Sequence, residues 1–468
     1  MKNLLKFTSF LLLISLLMMS CKKDIQDDDS NQNRLVNSYD YKIVHEWNQL
    51  FLTIERFAEG YRPGPAPHAI GYWTLACYEA CISGMPNNNS MANRYADLRV
   101  PTALNNQEYH WPSVVNAASN FLFSRFFPHV RNDREGRPLY PRINQLFLKN
   151  ERDFLAQTTP EIYLRSKNHG EAVAAAFWEW MRTDTELFEA YQDPFKGNFW
   201  QERTELFAWQ PTFPGPGDGM FPYWGKGRPM AIPNDLKLCR HYRHYVGELS
   251  EDPSSAFYMQ AREVMAQNTP SLAFTSKWVG EFWSDDLLEL TFSPPSRFLA
   301  IPDQVYVLEK ATLEQALEAN ARVGMALHDA AIGAWNSKYF YNLERPVSYI
   351  NRNIDPTWKP NLDNPLTGEQ GISPSFPAYP SGHATFGGAG AEALAGVFGY
   401  RYSMTDRCHE NRNEFFGMPR TFGSFFEMAH ENAWSRVPLG VHYRMDSDEG
   451  LRYGTEIGRV VNRLPWRK

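Results

Sequence analysis

Apolar residues recur at helical spacing over much of the chain. Val44, Trp47, Leu50, Phe51, Ile54 and Phe57 fall at steps of three and four, which predicts one amphipathic helix. The run Arg62-Pro63-Gly64-Pro65-Ala66-Pro67 breaks the pattern, and a second helix is expected from His68 to Ser83. Further periodic stretches predict helices over 114–127, 143–155, 161–181 and 256–268. Thr312-Leu313-Glu314-Gln315 is a capping-box sequence. Behind it Leu313, Ala316, Leu317, Gly324, Leu327 and Ala331 share a face, so a helix should run toward Lys338 and end before Pro346. A helix following Ser381 carries small residues at Gly387, Ala391 and Ala395, a face suited to close packing, and another is expected over 422–436. Long alternating β-branched runs are missing, which argues against a large sheet. Between 182 and 237 the pattern gives way to Pro/Gly-rich sequence, Phe213 to Gly219 and Trp224 to Pro229. Loops of that length serve as lids or entrance walls, or as plain connections. The expected architecture is all-α: an N-terminal helical bundle over 43–280, interrupted by loop 182–237, packed against a second bundle over 281–468.

The first residues add a location. Lys2 and Lys6 precede the apolar run 10–19, and Ser20-Cys21 follows. A basic start, a short apolar core and a small residue at the break describe a signal peptide over 1–20, too short to span a membrane. Cysteine at the break resembles the lipid-acceptor position of bacterial lipoproteins; ordinary cleavage beside a chance cysteine is the alternative. Residues 21–42 are polar, with Asp27-Asp28-Asp29, and read as a disordered tether. The expectation is an exported lipoprotein of the cell envelope, periplasm or outer surface, with membrane contact only through Cys21. The net charge of −6 over 468 residues argues against a general nucleic-acid binder. Of the other cysteines, Cys77 and Cys81 lie four apart in an apolar helical stretch and read as buried thiols. With Cys239 and Cys408 they leave room for a disulfide of unassigned pairing.

Three short motifs carry the candidate chemistry: Lys338 with Arg345-Pro346, Pro380-Ser381-Gly382-His383, and Ser435-Arg436 with His442. Lys338 and Arg345 are seven residues apart, close to two helical turns, so both can project from one helix face. Two like charges side by side are best explained by an anion between them. Ser381 and Gly382 fall at an expected helix N-terminus, where free N–H groups and the dipole favour an anion. Gly382 allows close approach, Ser381 can donate a hydrogen bond, and His383 is placed to exchange a proton. Arg436 supplies a forked guanidinium. His442 can bond the central atom directly, as metal ligand or nucleophile, with Asp446 or Asp448 holding its other nitrogen. The set is equipment for one oxyanion, phosphate or vanadate.

All three motifs in this order resemble the signature shared by vanadium-dependent haloperoxidases and type 2 phosphatidic-acid phosphatases. The flanks are similar to the haloperoxidase branch: Phe376 to Ala389, Glu431 to Arg436, Leu439 to Asp446, and Trp335 three residues before Lys338. Arg62 to Pro65 and Glu281 to Asp286 resemble stretches of bacterial haloperoxidase-like proteins. The resemblance is strong over 330–446 and looser before it. It implies a fold of the haloperoxidase/acid phosphatase type, with 281–468 as the catalytic bundle. It implies vanadate as cofactor, His442 as its axial ligand, and Lys338, Arg345, Ser381, Gly382 and Arg436 around its oxygens. It further implies His383 as the acid–base group, Trp335 and Phe376 on the halide side, and Asp286 paired with a cation of the site. The implied reaction is oxidation of halide by hydrogen peroxide to a hypohalous-acid-type species that halogenates small organic acceptors. The alternative is a phosphomonoesterase using the same pocket, with His442 as nucleophile.

Overall fold

The computed structural model describes residues 34–195, 203–212, 219–267 and 273–468. The expected signal peptide, Cys21 and most of the tether lie outside them, as does the stretch from Phe213 to Asp218. The expected tether does not extend to 42. Val36 is fully buried, and the Arg34 carbonyl accepts a hydrogen bond from Trp111 Nε1 (2.8 Å). Tyr39 and Tyr41 pack on the same core, and Leu313 N–H donates to the Tyr39 carbonyl (2.8 Å), so the segment is anchored at several points.

Fourteen helices are found among the described residues. In chain order they are α1 (Lys42–Glu55), α2 (Pro65–Cys81), α3 (Trp111–Phe126), α4 (Pro141–Leu155), α5 (Pro160–Arg182), the single turn α6 (Arg243–Val246), α7 (Ala256–Gln267) and α8 (Ala273–Ser284). Then follow α9 (Arg297–Glu309), α10 (Leu313–Tyr341), α11 (Pro346–Asn353), α12 (Gly382–Phe398), α13 (Phe425–Ser435) and α14 (Arg444–Asn462). The only strands among the described residues are the antiparallel pair Met404–Asp406 and Arg420–Phe422. Periodicity places the earlier helices to within a few residues. It passes over α9, because Pro302 sits inside that helix and proline is a poor interior residue.

Local chemistry explains the ends that matter. The Thr312 side chain accepts from Gln315 N–H while Gln315 returns a bond to Thr312 N–H, so the capping box forms. α10 ends at Asn342, in the left-handed conformation (φ 49°) that asparagine tolerates. Ser381 caps α12 by accepting from Ala384 N–H, and Pro346 occupies the first turn of α11, where its missing N–H costs nothing.

α10 is the axial element, packed by α2 and by α12, and α12 lies along α14. These approaches are close because glycines face oxygen atoms of the neighbouring helix, a carbonyl in one case and a hydroxyl in another. A Cβ on Gly454 would stand 2.0 Å from the Thr385 oxygen, and one on Gly324 would stand 2.1 Å from Thr74 Oγ1. One apolar core runs from Val36 to Trp466. A smaller cluster of Leu287, Leu290, Leu362, Ile372, Leu439 and Val441 stands apart from it. Cys77, Cys81, Cys239 and Cys408 are all free thiols, so no disulfide joins them; Cys77 and Cys81 are buried as expected. No helix among the described residues is long and apolar enough to cross a membrane.

Gly454→Ala should push α14 off α12 and lower stability by about 1–3 kcal/mol, measured by denaturant unfolding. An unchanged midpoint would contradict the close approach.

Candidate active site

The three motifs converge on one buried centre, from different elements than their spacing suggests. Lys338 lies in the last turn of α10, but Arg345 is not on that helix. The chain turns at Asn342, and Arg345 is the extended N-cap residue of α11 (φ −75°, ψ 155°). The two cations therefore meet across a corner rather than along one face. Glu344 N–H donates to the Phe207 carbonyl and Ala378 N–H to the Leu343 carbonyl, and these bonds pin the corner from both sides.

Each cation is held by carbonyls and left with spare donors. Lys338 is fully buried, and its Nζ donates to the carbonyls of Pro377 (2.9 Å) and Ala378 (2.8 Å). An ammonium has three donors, so one remains. Arg345, also fully buried, donates from Nε to the Phe376 carbonyl (2.9 Å) and from Nη1 to the Val441 carbonyl (2.8 Å). Its Nη1 also lies 3.0 Å from His442 Nε2. Arg436, fully buried at the end of α13, donates from Nη2 to Asp286 (2.7 Å). That pair matches the role expected of Asp286. Three guanidinium nitrogens, Arg345 Nη2 and Arg436 Nε and Nη1, have no acceptor among the described residues. Phe376 packs at 5.0 Å from Trp335, with Lys338 Nζ 5.2 Å and the Arg345 guanidinium 5.0 Å from its ring centre.

The two imidazoles are oriented differently. His442 Nδ1 donates to Asp446 Oδ2 (2.9 Å), which also accepts from Tyr443 N–H (3.1 Å). Asp446, rather than Asp448, is thus the orienting carboxylate. The donation fixes the tautomer and leaves the Nε2 lone pair directed away from Asp446. His383 Nε2 donates to the Ser284 carbonyl (2.5 Å) and lies 3.7 Å from Asp286, which leaves its Nδ1 unprotonated in the neutral ring. The Ser381 N–H donates to the Asp446 carbonyl (2.9 Å), joining the start of α12 to that of α14.

Burial dominates the electrostatics. It pushes Lys338 well below the ordinary lysine range, with the Arg345 charge adding to the effect. It lowers Arg345 to about 9 against the pull of Asp446. Burial, then the neighbouring cations, hold His442 well below the usual imidazole value, and burial with Arg436 lowers His383 to about 4. Both rings are therefore neutral near pH 7. Two buried arginines with unpartnered N–H groups, beside a lysine that burial biases toward losing its proton, form a centre suited to an anion, whose charge would favour all three in their protonated forms. An oxyanion fits the donor set: its oxygens would accept from the forked guanidinium groups, and His442 Nε2, which here lies 3.0 Å from Arg345 Nη1, is the lone pair that would bond the central atom.

A cavity of ≈ 290 Å³ opens onto this centre, lined by Trp335, Phe376, Gly382, His383, Arg436 and His442 on the floor. Met220, Leu287, Leu362 and Ile372 wall it. Met220 belongs to the long loop, which is therefore an entrance wall. The Met220 carbonyl accepts from Tyr339 OH (2.6 Å) and Trp335 Nε1 (3.3 Å). The fully buried Asp329 carboxylate of α10 accepts the backbone N–H groups of Met230, Ala231 and Ile232 (2.7, 2.7 and 2.8 Å). Neither this anchor nor the Ser284 carbonyl shows in the sequence motifs. A buried aspartate amid Ala and Leu on a helix was the available signal for the first; a main-chain acceptor leaves none.

Known proteins resemble this chain in sequence and in fold. Residues 318–465 match the family model of the VCPO second helical-bundle domain. The chain is 30% identical to the vanadium chloroperoxidase of Curvularia inaequalis over 87% of its own length and 80% of that protein. It is 31% identical to the vanadium-dependent bromoperoxidase of Ascophyllum nodosum over 29% of this chain and 27% of that one. Among solved structures, a bacterial vanadium-dependent iodoperoxidase superposes with a TM-score of 0.77 at 24% identity, covering 91% of this chain and 97% of its own. A bacterial vanadium-dependent chloroperoxidase superposes at 0.61 and 13% identity, covering 87% and 93%.

Asp329→Ala strands three buried N–H groups, each costing about 1–3 kcal/mol if unmet. Limited proteolysis and hydrogen exchange should show segment 219–237 opening at least tenfold more readily (about 1.4 kcal/mol). Unchanged protection would contradict the anchoring role.

Proposed function

We infer that this chain, which belongs to the vanadium-dependent haloperoxidase family, is an enzyme that oxidises halide with hydrogen peroxide and uses vanadate as its cofactor. The carrying observation is the set of orphaned N–H groups on two fully buried arginines that converge, with Lys338, around His442. Lys338, Arg345, Ser381, Gly382 and Arg436 would hold the oxygens of vanadate, and His442 would bond the metal through Nε2. When bound, the cofactor supplies a Lewis acid that polarises peroxide without changing oxidation state.

The protein's own groups have separable tasks. The three cations offset the anion's charge, so that peroxide oxygen is left electron-poor toward halide. His383, neutral because burial and Arg436 hold its pKa near 4, accepts a proton from peroxide at Nδ1. The Ser284 carbonyl fixes its ring while it does so. Asp446 keeps His442 in the tautomer that presents a lone pair. Trp335 and Phe376 wall the halide side and exclude water, which strengthens the charge interactions of the site. The product is a hypohalous-acid-type species that halogenates small organic acceptors.

The basic and apolar start of the chain, with Cys21 at its break, supports export and a lipid anchor in the cell envelope. Labelling with a radiolabelled fatty acid tests this: wild type should take up label and Cys21→Ala should not.

Apoprotein should gain peroxide-dependent halide oxidation on addition of orthovanadate and show no phosphomonoester hydrolysis. Arg436→Ala should lower that activity by about 10²-fold or more, and His442→Ala should abolish it. Vanadate-inhibited phosphate hydrolysis without halide oxidation would instead establish the phosphatase reading.

A further inference from the structure

Behind the site lies a second polar cluster that touches neither the cavity nor the cations. Arg297 of α9, 1% exposed, donates from Nε to Asp285 Oδ2 (2.8 Å) and from Nη1 to Asp406 Oδ2 (3.0 Å). Its Nη2 meets the Phe282 carbonyl and lies 2.9 Å from His409 Nε2. His409 Nε2 is in turn 2.9 Å from Asp285 Oδ1. Phe282, Trp283 and Phe292 surround the guanidinium with ring centres 4.7–5.6 Å away. A single buried ion pair gives little net stability compared with apolar packing. A four-residue network of this kind calls for a further reason.

The reason lies in the backbone of Asp285. It follows the end of α8 with φ 45°, a left-handed conformation that aspartate adopts only occasionally and that is held here by its surroundings. That turn aims its two neighbours at the site: the Ser284 carbonyl binds His383, and the Asp286 carboxylate binds Arg436. Asp285 is gripped at both ends. Its carboxylate is held by Arg297 and His409, and its carbonyl accepts from Arg62 Nη1 (3.0 Å). Arg62 comes from the Arg62-Pro63 break before α2, and its Nη2 also reaches the Thr291 carbonyl.

We propose that Arg297, with His409 and Asp406, is a positioning unit for the oxidation chemistry, acting through the Asp285 turn to set the Ser284 carbonyl on His383 and the Asp286 carboxylate on Arg436. It touches no substrate. It keeps the Arg436 fork pointed so that Nε and Nη1 stay free for an oxyanion, and it holds the ring that takes the proton. The proposal rests on the functional reading above.

The test is calorimetric titration of the folded apoproteins with orthovanadate, beside steady-state kinetics in peroxide. Asp285→Asn keeps the shape and removes the charge; Arg297→Met removes the fork. Both should weaken vanadate at least tenfold and lower kcat by a similar factor, and Arg297→Lys should recover part of each. The control is Glu318→Gln, which breaks another buried pair, Arg322 to Glu318 (2.5 Å). Glu318 lies about 30 Å from Lys338 along α10 at 1.5 Å per residue. The control should lower the unfolding temperature and leave vanadate affinity at the wild-type value. Should Arg297→Met fail to fold, Asp285→Asn and Arg297→Lys carry the comparison. Wild-type affinity in the folded Asp285 and Arg297 variants, or an equal loss in Glu318→Gln, overturns the proposal. A wild-type protein that binds no vanadate overturns the functional reading and this one with it.

Discussion

Three positive charges buried beside one another constrain everything else in this protein. Lys338, Arg345 and Arg436 are each fully removed from water, where mutual repulsion is screened little. The protein supplies only part of the compensation. Asp286 pairs with Arg436, while Asp446, raised above the ordinary aspartate range by its own burial, serves His442. Carbonyls of Pro377, Ala378, Phe376 and Val441 take up several of the donors. What remains is a set of N–H groups whose natural complement is an oxyanion.

Holding that set open requires rigid supports on every side, and the fold provides them from separate elements. α10 delivers Lys338, the corner before α11 delivers Arg345, α13 delivers Arg436, and the starts of α12 and α14 deliver Ser381, His383 and His442. Glycine contacts draw α14 onto α12 so that the Ser381 N–H reaches the Asp446 carbonyl. The Asp329 carboxylate ties the long loop to α10, which sets Met220 as a wall of the cavity. Farther back, Arg297 and Arg62 fix the turn at Asp285 from opposite ends. The pattern is repeated: a buried charge or polar backbone group defines position, and apolar packing excludes water around it.

The chemistry was legible in the sequence to a greater degree than the geometry. Lys338, Arg345, Ser381, His383, Arg436 and His442 stand out because their residue types have few other uses in such company. Helical periodicity located α1 and α3 to α5, and the Pro/Gly break before it located α2, which is buried on every side. Two kinds of information were hidden. The corner at Asn342, which separates Lys338 from Arg345, depends on a left-handed residue that helical spacing cannot reveal. Acceptors such as the Ser284 carbonyl are main-chain groups common to all residues. The choice of Asp446 over Asp448 follows from the first turn of α14, where three residues on from Tyr443 is the position that faces back. The packing of Val36, Tyr39 and Tyr41 shows the same limit, since so short an apolar pattern in a polar tract sets no helical period.

The central claim is that the trio of buried cations and His442 together hold one vanadate. Crystals of the protein soaked in orthovanadate and measured at the vanadium absorption edge test it directly. The account predicts a single anomalous peak per chain within bonding distance of His442 Nε2, with oxygens facing Arg345 Nη2 and the free nitrogens of Arg436. No peak at that position, or vanadium bound elsewhere with the arginine donors still unmet, would contradict it.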